Sequence, residues 1–312
     1  MKTDFSVDIA GILLQNPVMN ASGTFELEYC QELIDISRLG AFVPKSTTRK
    51  SRDGNPQPRI YEVRRGVINR IGLENKGVDN FVEEKLPAIY QLITGTKVIL
   101  IVSVAGESIK DYLETAAILQ LASRGRISAL EINVSCPNVS NGMVFGSNPD
   151  LLFDLVSVLR QVIDLPLIIK LTPNIKKISL AAKAAVSAGA DALSLINTIK
   201  AKALIKRSLY AGQWIEGGLS GPAIKKISLR KVREVSESVD VPLIAMGGIS
   251  DTEDALEFLR IKNVWAVAVG TANFIYPSTM TDIIDGLGRY LKENKYSNMA
   301  EFKAKELVKG AL

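Results

Sequence analysis

The 312-residue chain contains no histidine. That excludes Ser-His-Asp and Cys-His catalysis, HExxH zinc proteases and any His-ligated metal. Only two cysteines occur, Cys30 and Cys136, so a four-cysteine zinc or iron–sulfur site within this chain is excluded as well. Any proton transfer falls to a thiol, a lysine, a tyrosine or a carboxylate. No run of about 18 apolar residues exists, and no transmembrane helix is expected. Met1–Ala10 carries Asp4 and Asp8 and no apolar h-region, so no signal peptide is expected. Two distant cysteines fit a reducing cytoplasm.

What is present is the composition of a globular protein, 47% apolar and 23% charged. A chain of this length can bury a full core without disulfide or metal. No low-complexity linker divides it, and residues 1–312 are read as a single domain. Eight short, near-continuous apolar runs recur: Val18–Ser22, Ala41–Ser46, Val98–Val104, Ala129–Ser135, Leu167–Thr172, Ala192–Thr198, Pro242–Gly247 and Ala266–Thr271. Such runs suit strands buried on both faces. Helical spacing lies between them, at Ile178–Ser187 before Gly189, at Leu151–Val162, and from the capping pattern Ser250-Asp-Thr-Glu253 to Leu259. Eight alternating units predict a (β/α)8 TIM barrel; an open doubly wound sheet is the alternative. Long connections follow the second and sixth strands, Thr47–Lys97 and Ile199–Val241, and are expected to be functional loops.

In such a barrel the site lies at the carboxyl ends of the strands. Those ends read Asn20-Ala-Ser22-Gly23, Lys45-Ser46, Ser103, Asn133 through Asn138, Lys170-Leu-Thr172, Asn197-Thr198, Gly247-Gly248 and Gly270-Thr271. The ring is rich in amides, with two lysines, one thiol and no carboxylate. It suits a neutral planar ligand with an anionic group, and not a divalent metal. Glycines ending the seventh and eighth strands can present backbone N–H groups to a phosphate, which implies a one-phosphate cofactor such as FMN; two tight turns would use the same residues. GxGxxG is absent, which argues against a Rossmann site.

Cys136 follows an apolar strand in Ser-Cys-Pro-Asn. A lone thiol is commonly inert and buried, but this one is placed on a loop at the catalytic face and is the best general base available. Cys30 is assigned to packing. Lys45 and Lys170 close apolar strands and are expected to point into the mouth, where a cation can stabilise reduced flavin or hold a carboxylate. Asn69-Arg70-Ile71-Gly72-Leu73-Glu74-Asn75, with amide, glycine and amide at this spacing, can form a loop that bonds a ring edge, or an ordinary turn. Between Lys45 and Arg70 stand eight basic and two acidic residues, part of a net charge of +5 and a pI of about 9.0. With little aromatic interleaving, that stretch reads as a solvated loop or an attractor of anionic substrate, and no nucleic-acid or membrane partner is expected.

Taken in order, these motifs resemble the class 1 dihydroorotate dehydrogenases over almost the whole chain. They run from Asn16-Pro-Val-Met-Asn-Ala-Ser-Gly23, through Lys45-Ser-Thr-Thr48, Asn69–Asn75, Glu131-Ile-Asn-Val-Ser-Cys-Pro-Asn138, Lys170-Leu-Thr-Pro-Asn174 and Gly217–Lys225, to Val267–Phe274. The resemblance implies an FMN enzyme that oxidises dihydroorotate to orotate in pyrimidine synthesis. Cys136 matches the base that takes the C5 proton while hydride leaves C6. Lys45, Asn69, Arg70, Ile71, Gly72, Leu73, Asn133, Asn138, Asn197 and Thr198 match substrate contacts. Ser22, Gly23, Lys45, Ser46, Ser103, Asn133, Lys170, Ile196, Gly221, Gly247, Gly248, Gly270 and Thr271 match flavin contacts.

Val139, Phe145–Pro149, Gly217–Lys225 and Val267–Phe274 look like the 1B form, whose partner subunit carries FAD and a [2Fe–2S] cluster and reduces NAD. Asn20 and Ser46 look more like the fumarate-using 1A form. Ser103 stands where 1B chains usually carry asparagine, and Arg70 and Glu74 depart from the commoner residues. A homodimer, or a heterotetramer with the partner, is implied. The competing readings are a flavin enzyme acting on dihydrouracil and an RNA-binding barrel.

Overall fold

The computed structural model describes residues 4–135 and 145–309. Eight parallel strands close into a barrel: β1 (Val18–Asn20), β2 (Ala41–Phe42), β3 (Ile99–Val104), β4 (Ala129–Asn133), β5 (Leu167–Lys170), β6 (Ala192–Leu195), β7 (Leu243–Met246) and β8 (Val264–Val269). Each neighbours the next in sequence, and β8 pairs with β1 through Val267↔Val18, Ala268↔Met19 and Val269↔Asn20. All eight expected strands are present in order, which excludes the open doubly wound sheet. The third run ends at Val104 as expected, while the other strands end earlier than their apolar runs suggest: β2 stops at Phe42, and Val43–Ser46 continues without ladder bonding.

Helices cover the barrel as their spacing requires. Ile178–Ser187 forms as expected, burying Ile178, Ala181, Ala182 and Ala185 at positions i, i+3, i+4 and i+7. Gly189 ends it at φ +105°, where its N–H reaches Val186 and the Ala190 N–H reaches Ala185. The helix expected at Leu151 starts at Pro149, because Asn148 accepts from the N–H groups of Asp150 and Leu151. The expected capping box at Ser250 is not formed. Asp251 caps Thr252–Leu259 by accepting from the Asp254 N–H, and Ser250 instead donates to the Asp254 carboxylate.

The two long connections contribute structure that apolar periodicity did not reveal. Ile60–Val63 and Gly66–Asn69 come from the first, and Ile199–Leu204 and Trp214–Ser220 from the second. They form one antiparallel sheet with its own small core of Ile68, Ile205 and Ile215. A short hairpin, Val7–Ile9 with Ile12–Leu14, turns its alternate apolar residues into the main core.

Lys303, on the last helix (Met299–Lys309), is buried, and its ammonium donates to the carbonyls of Leu259 and Ile261. Burial pushes its pKa down to about 7. The unfolded chain therefore binds more protons between pH 7 and about 10.4, so this group adds stability as pH rises through that window. Denaturant unfolding should show the wild-type midpoint climbing from about pH 7 to about pH 10 relative to Lys303→Met. Parallel pH profiles would disprove the assignment.

Candidate active site

Side chains at the carboxyl ends of five strands form one connected polar network. Asn20 bridges β1 to the next strand's extension, donating to the Val43 carbonyl at 2.7 Å and accepting from its N–H at 2.9 Å. Ser22 donates to the Pro44 carbonyl and lies 3.4 Å from the Ser46 hydroxyl, which meets Ser103 Oγ at 2.8 Å. Asn133 Nδ2 donates to Ser46 Oγ at 3.3 Å, and Asn197 Nδ2 donates to Asn133 Oδ1 at 3.1 Å. The Thr198 N–H then donates to Asn197 Oδ1. Six of the expected site residues, from Ser22 to Thr198, are thus tied into one network spanning five strand ends. Ser103 is 0% exposed, and its hydroxyl meets that of Ser46.

Lys45 and Lys170 differ. Lys45 keeps 35% of its side-chain surface and lies 3.8 Å from Glu74, whose carboxyl is held below the usual range by its hydrogen bond to Arg59. Lys170 does not stand in the open mouth. It is buried inside the barrel, with Nζ 3.2 Å from Glu131 Oε1. Glu131 also accepts from Ser194 Oγ at 2.9 Å. A carboxylate therefore lies directly beneath the ring. Sequence reasoning passed over it because Glu131 precedes the strand end by two residues; that same spacing of two puts it on the face of β4 that Asn133 occupies.

The Asn69–Leu73 loop is held over the barrel. Asn69 Nδ2 donates to the Gly218 carbonyl, Asn55 holds the Arg70 and Ile71 carbonyls, and Asn75 holds that of Leu73. The inserted strand Trp214–Ser220 presses close. A Cβ on Gly217 would stand 2.1 Å from the Asn69 carbonyl oxygen, and one on Gly218 would stand 2.0 Å from Thr198 Oγ1. The Gly217-Gly218 pair was the available signal for this close approach.

The glycines of the last two strand ends separate into two kinds. Gly248 has φ +84°, and a Cβ there would lie 2.7–2.9 Å from Lys225, so the fold itself requires glycine. Gly221 likewise sits at φ +91°. Gly270 has no such need: an added Cβ would meet nothing closer than 3.7 Å. A bare backbone where the fold tolerates a side chain leaves room for a ligand. Thr271 beside it donates to Ser220 Oγ at 2.8 Å, and Ile196 N donates to the Met246 carbonyl. The donors, two lysines and this ledge fit a planar ring with one anionic arm. Cys136 and Asn138 lie outside the described residues. Among the described residues no His/Cys/Asp/Glu group could hold a metal, and no helix is long and apolar enough to cross a membrane.

Fold and mouth together define a (β/α)8-barrel enzyme with its site at the carboxyl ends of the strands. The family model described as dihydroorotate dehydrogenase matches residues 5–291, and the chain belongs to that family. It is 44% identical over 302 residues to the dihydroorotate dehydrogenase B (NAD(+)) catalytic subunit of Thermoanaerobacter sp. (strain X514), covering 96% of this chain and 97% of that one. The subunits of the same name from Geotalea uraniireducens (strain Rf4) and Alkaliphilus metalliredigens (strain QYMF) are each 43% identical, over 305 and 308 residues, covering 96% and 97% of this chain and 97% and 98% of theirs.

If Gly270 is kept for a ligand, Gly270→Val should alter the stability of the cofactor-free chain by no more than about 0.5 kcal/mol, yet abolish retention of FMN. Full FMN content in the purified variant would refute the reading.

Proposed function

We propose that this chain oxidises dihydroorotate to orotate in pyrimidine synthesis, acting as a single barrel domain with FMN bound at its mouth. The family match over residues 5–291, joined to the hydrogen-bonded ring from Ser22 to Thr198, carries this reading. When bound, FMN supplies the acceptor for hydride from substrate C6. The remaining roles belong to the chain. Cys136 takes the C5 proton as thiolate, a role open to a thiol whose ordinary pKa is about 8.5. Asn133 and Asn197, already oriented by each other, present amide edges to the ring of the substrate, with Asn138 and Thr198 beside them.

Lys45, the more exposed cation, meets the substrate carboxylate within the Asn69–Leu73 loop, which closes over it and excludes water. Ser22, Gly23, Ser46, Lys170, Ile196 and Gly221 line the cofactor side. Gly247, Gly248, Gly270 and Thr271 take the phosphate on backbone N–H groups.

The relatives are named as NAD(+)-linked catalytic subunits. We assign this chain the same linkage, in the cytoplasm. A homodimer would join a partner subunit that carries FAD and a [2Fe–2S] cluster. Two cysteines supply no four-thiolate set here, so the cluster has to come from elsewhere. Ser103, buried behind Ser46, then acts as a support of the cofactor side.

Stopped-flow mixing of dihydroorotate with the yellow protein tests the base. Cys136→Ala should keep its FMN while flavin reduction slows about 10²–10⁴-fold. Reduction at the wild-type rate would remove Cys136 from this role. Vigorous fumarate turnover by the chain alone would overturn the NAD linkage.

A further inference from the structure

We propose that Glu131 is a positioning residue that fixes the charge of Lys170 beneath the cofactor, an inference that rests on the flavin reading above. Glu131 and Lys170 are each 4% exposed, in the interior of the barrel. Their strands are neighbours, and the ladder sets Asn133 opposite Lys170 and Lys170 opposite Ser194. The Glu131 carboxylate has one oxygen 3.2 Å from Lys170 Nζ and the other 2.9 Å from Ser194 Oγ. Three adjacent strands thus hold one ammonium at a defined height under the mouth.

Stability alone gives no reason for this arrangement. A buried ion pair costs more desolvation than well-packed aliphatic side chains of the same volume, and barrel interiors are normally filled with branched aliphatics. The same faces of these three strands otherwise carry Ala129, Ile168 and Ala192. What the pair provides is a fixed cation. An ammonium has three donors. Among the described residues Glu131 is the side-chain acceptor the structure gives it, and the other donors are open to a carbonyl or ring nitrogen above. A positive charge at that place stabilises electron density gained by a ring on reduction. Without the carboxylate the buried cation is uncompensated. The ammonium is then no longer anchored at that height, and the ring loses its fixed partner.

The test compares wild type with Glu131→Gln, Glu131→Asp and Ser194→Ala as FMN-loaded proteins, by sulfite titration and by equilibrium reduction potential. Glu131→Gln should weaken sulfite affinity about tenfold, the size of one lost charge-assisted hydrogen bond, and should lower the potential. Glu131→Asp should restore part of the change. Ser194→Ala, the mildest substitution, should move both readings in the same direction and covers the case in which Glu131→Gln does not fold. Yellow variants with wild-type potential and sulfite affinity would overturn the proposal and leave the flavin reading intact. A wild-type chain that takes up no FMN would overturn both.

Discussion

Pairing of Val267, Ala268 and Val269 with Val18, Met19 and Asn20 turns an open parallel sheet into a ring, and the chemistry at the mouth depends on that closure. Because all eight strands run the same way, every carboxyl end opens on one side. Residues from Ser22 to Thr271 are thereby brought to one surface. The pairing is possible because the strands are apolar on both faces: one face packs on helices, the other fills the interior. Among the described residues, Asn20, Ser46, Ser103, Glu131, Lys170 and Ser194 bring buried polar groups into the barrel near its mouth.

Those groups must satisfy their own hydrogen bonds, since a buried polar group left unpaired costs on the order of 1–3 kcal/mol. The chain solves this by having the site residues bond one another. Ser46 serves Ser22, Ser103 and Asn133; Asn133 serves Asn197; Asn197 serves Thr198. The consequence is preorganisation. Amide edges and hydroxyls are oriented by their neighbours before any ligand arrives, so little reorganisation accompanies binding. Lys170 and Glu131 extend the same logic one layer down, with charge in place of neutral dipoles.

The barrel was legible because its signal is coarse: eight apolar runs in order survive errors of a few residues at each end. The strand-end residues were legible for the same reason, since their position follows from where each run stops. The sheet over the mouth was not. Ile60–Val63 and Ile199–Leu204 alternate exposed and half-buried positions over a core of only three buried side chains. Long-range pairing across 149 residues, from Asn69 to Gly218, makes that sheet rather than local composition. The depth of Lys170 was not legible, because a sequence does not show which layer a long side chain enters. Its partner, Glu131, sits on another strand, 39 residues away.

The basic stretch from Lys45 to Arg70 takes its meaning from the same geometry. Arg49 pairs with Asp79 and Glu114, Arg52 with Glu107, and Arg59 with Glu74. Glu107 follows β3 and Glu114 stands within the helix Ile109–Ser123, so the Arg52–Glu107 and Arg49–Glu114 pairs fasten the inserted loop to the barrel. Of the stretch, Lys45 is left at the mouth, and it and Lys170 each stand beside a carboxylate, at 3.8 and 3.2 Å. The chain has no imidazole, and under the proposed function proton transfer belongs to the thiol of Cys136. On that reading the lysines supply charge and the thiol the acid–base step.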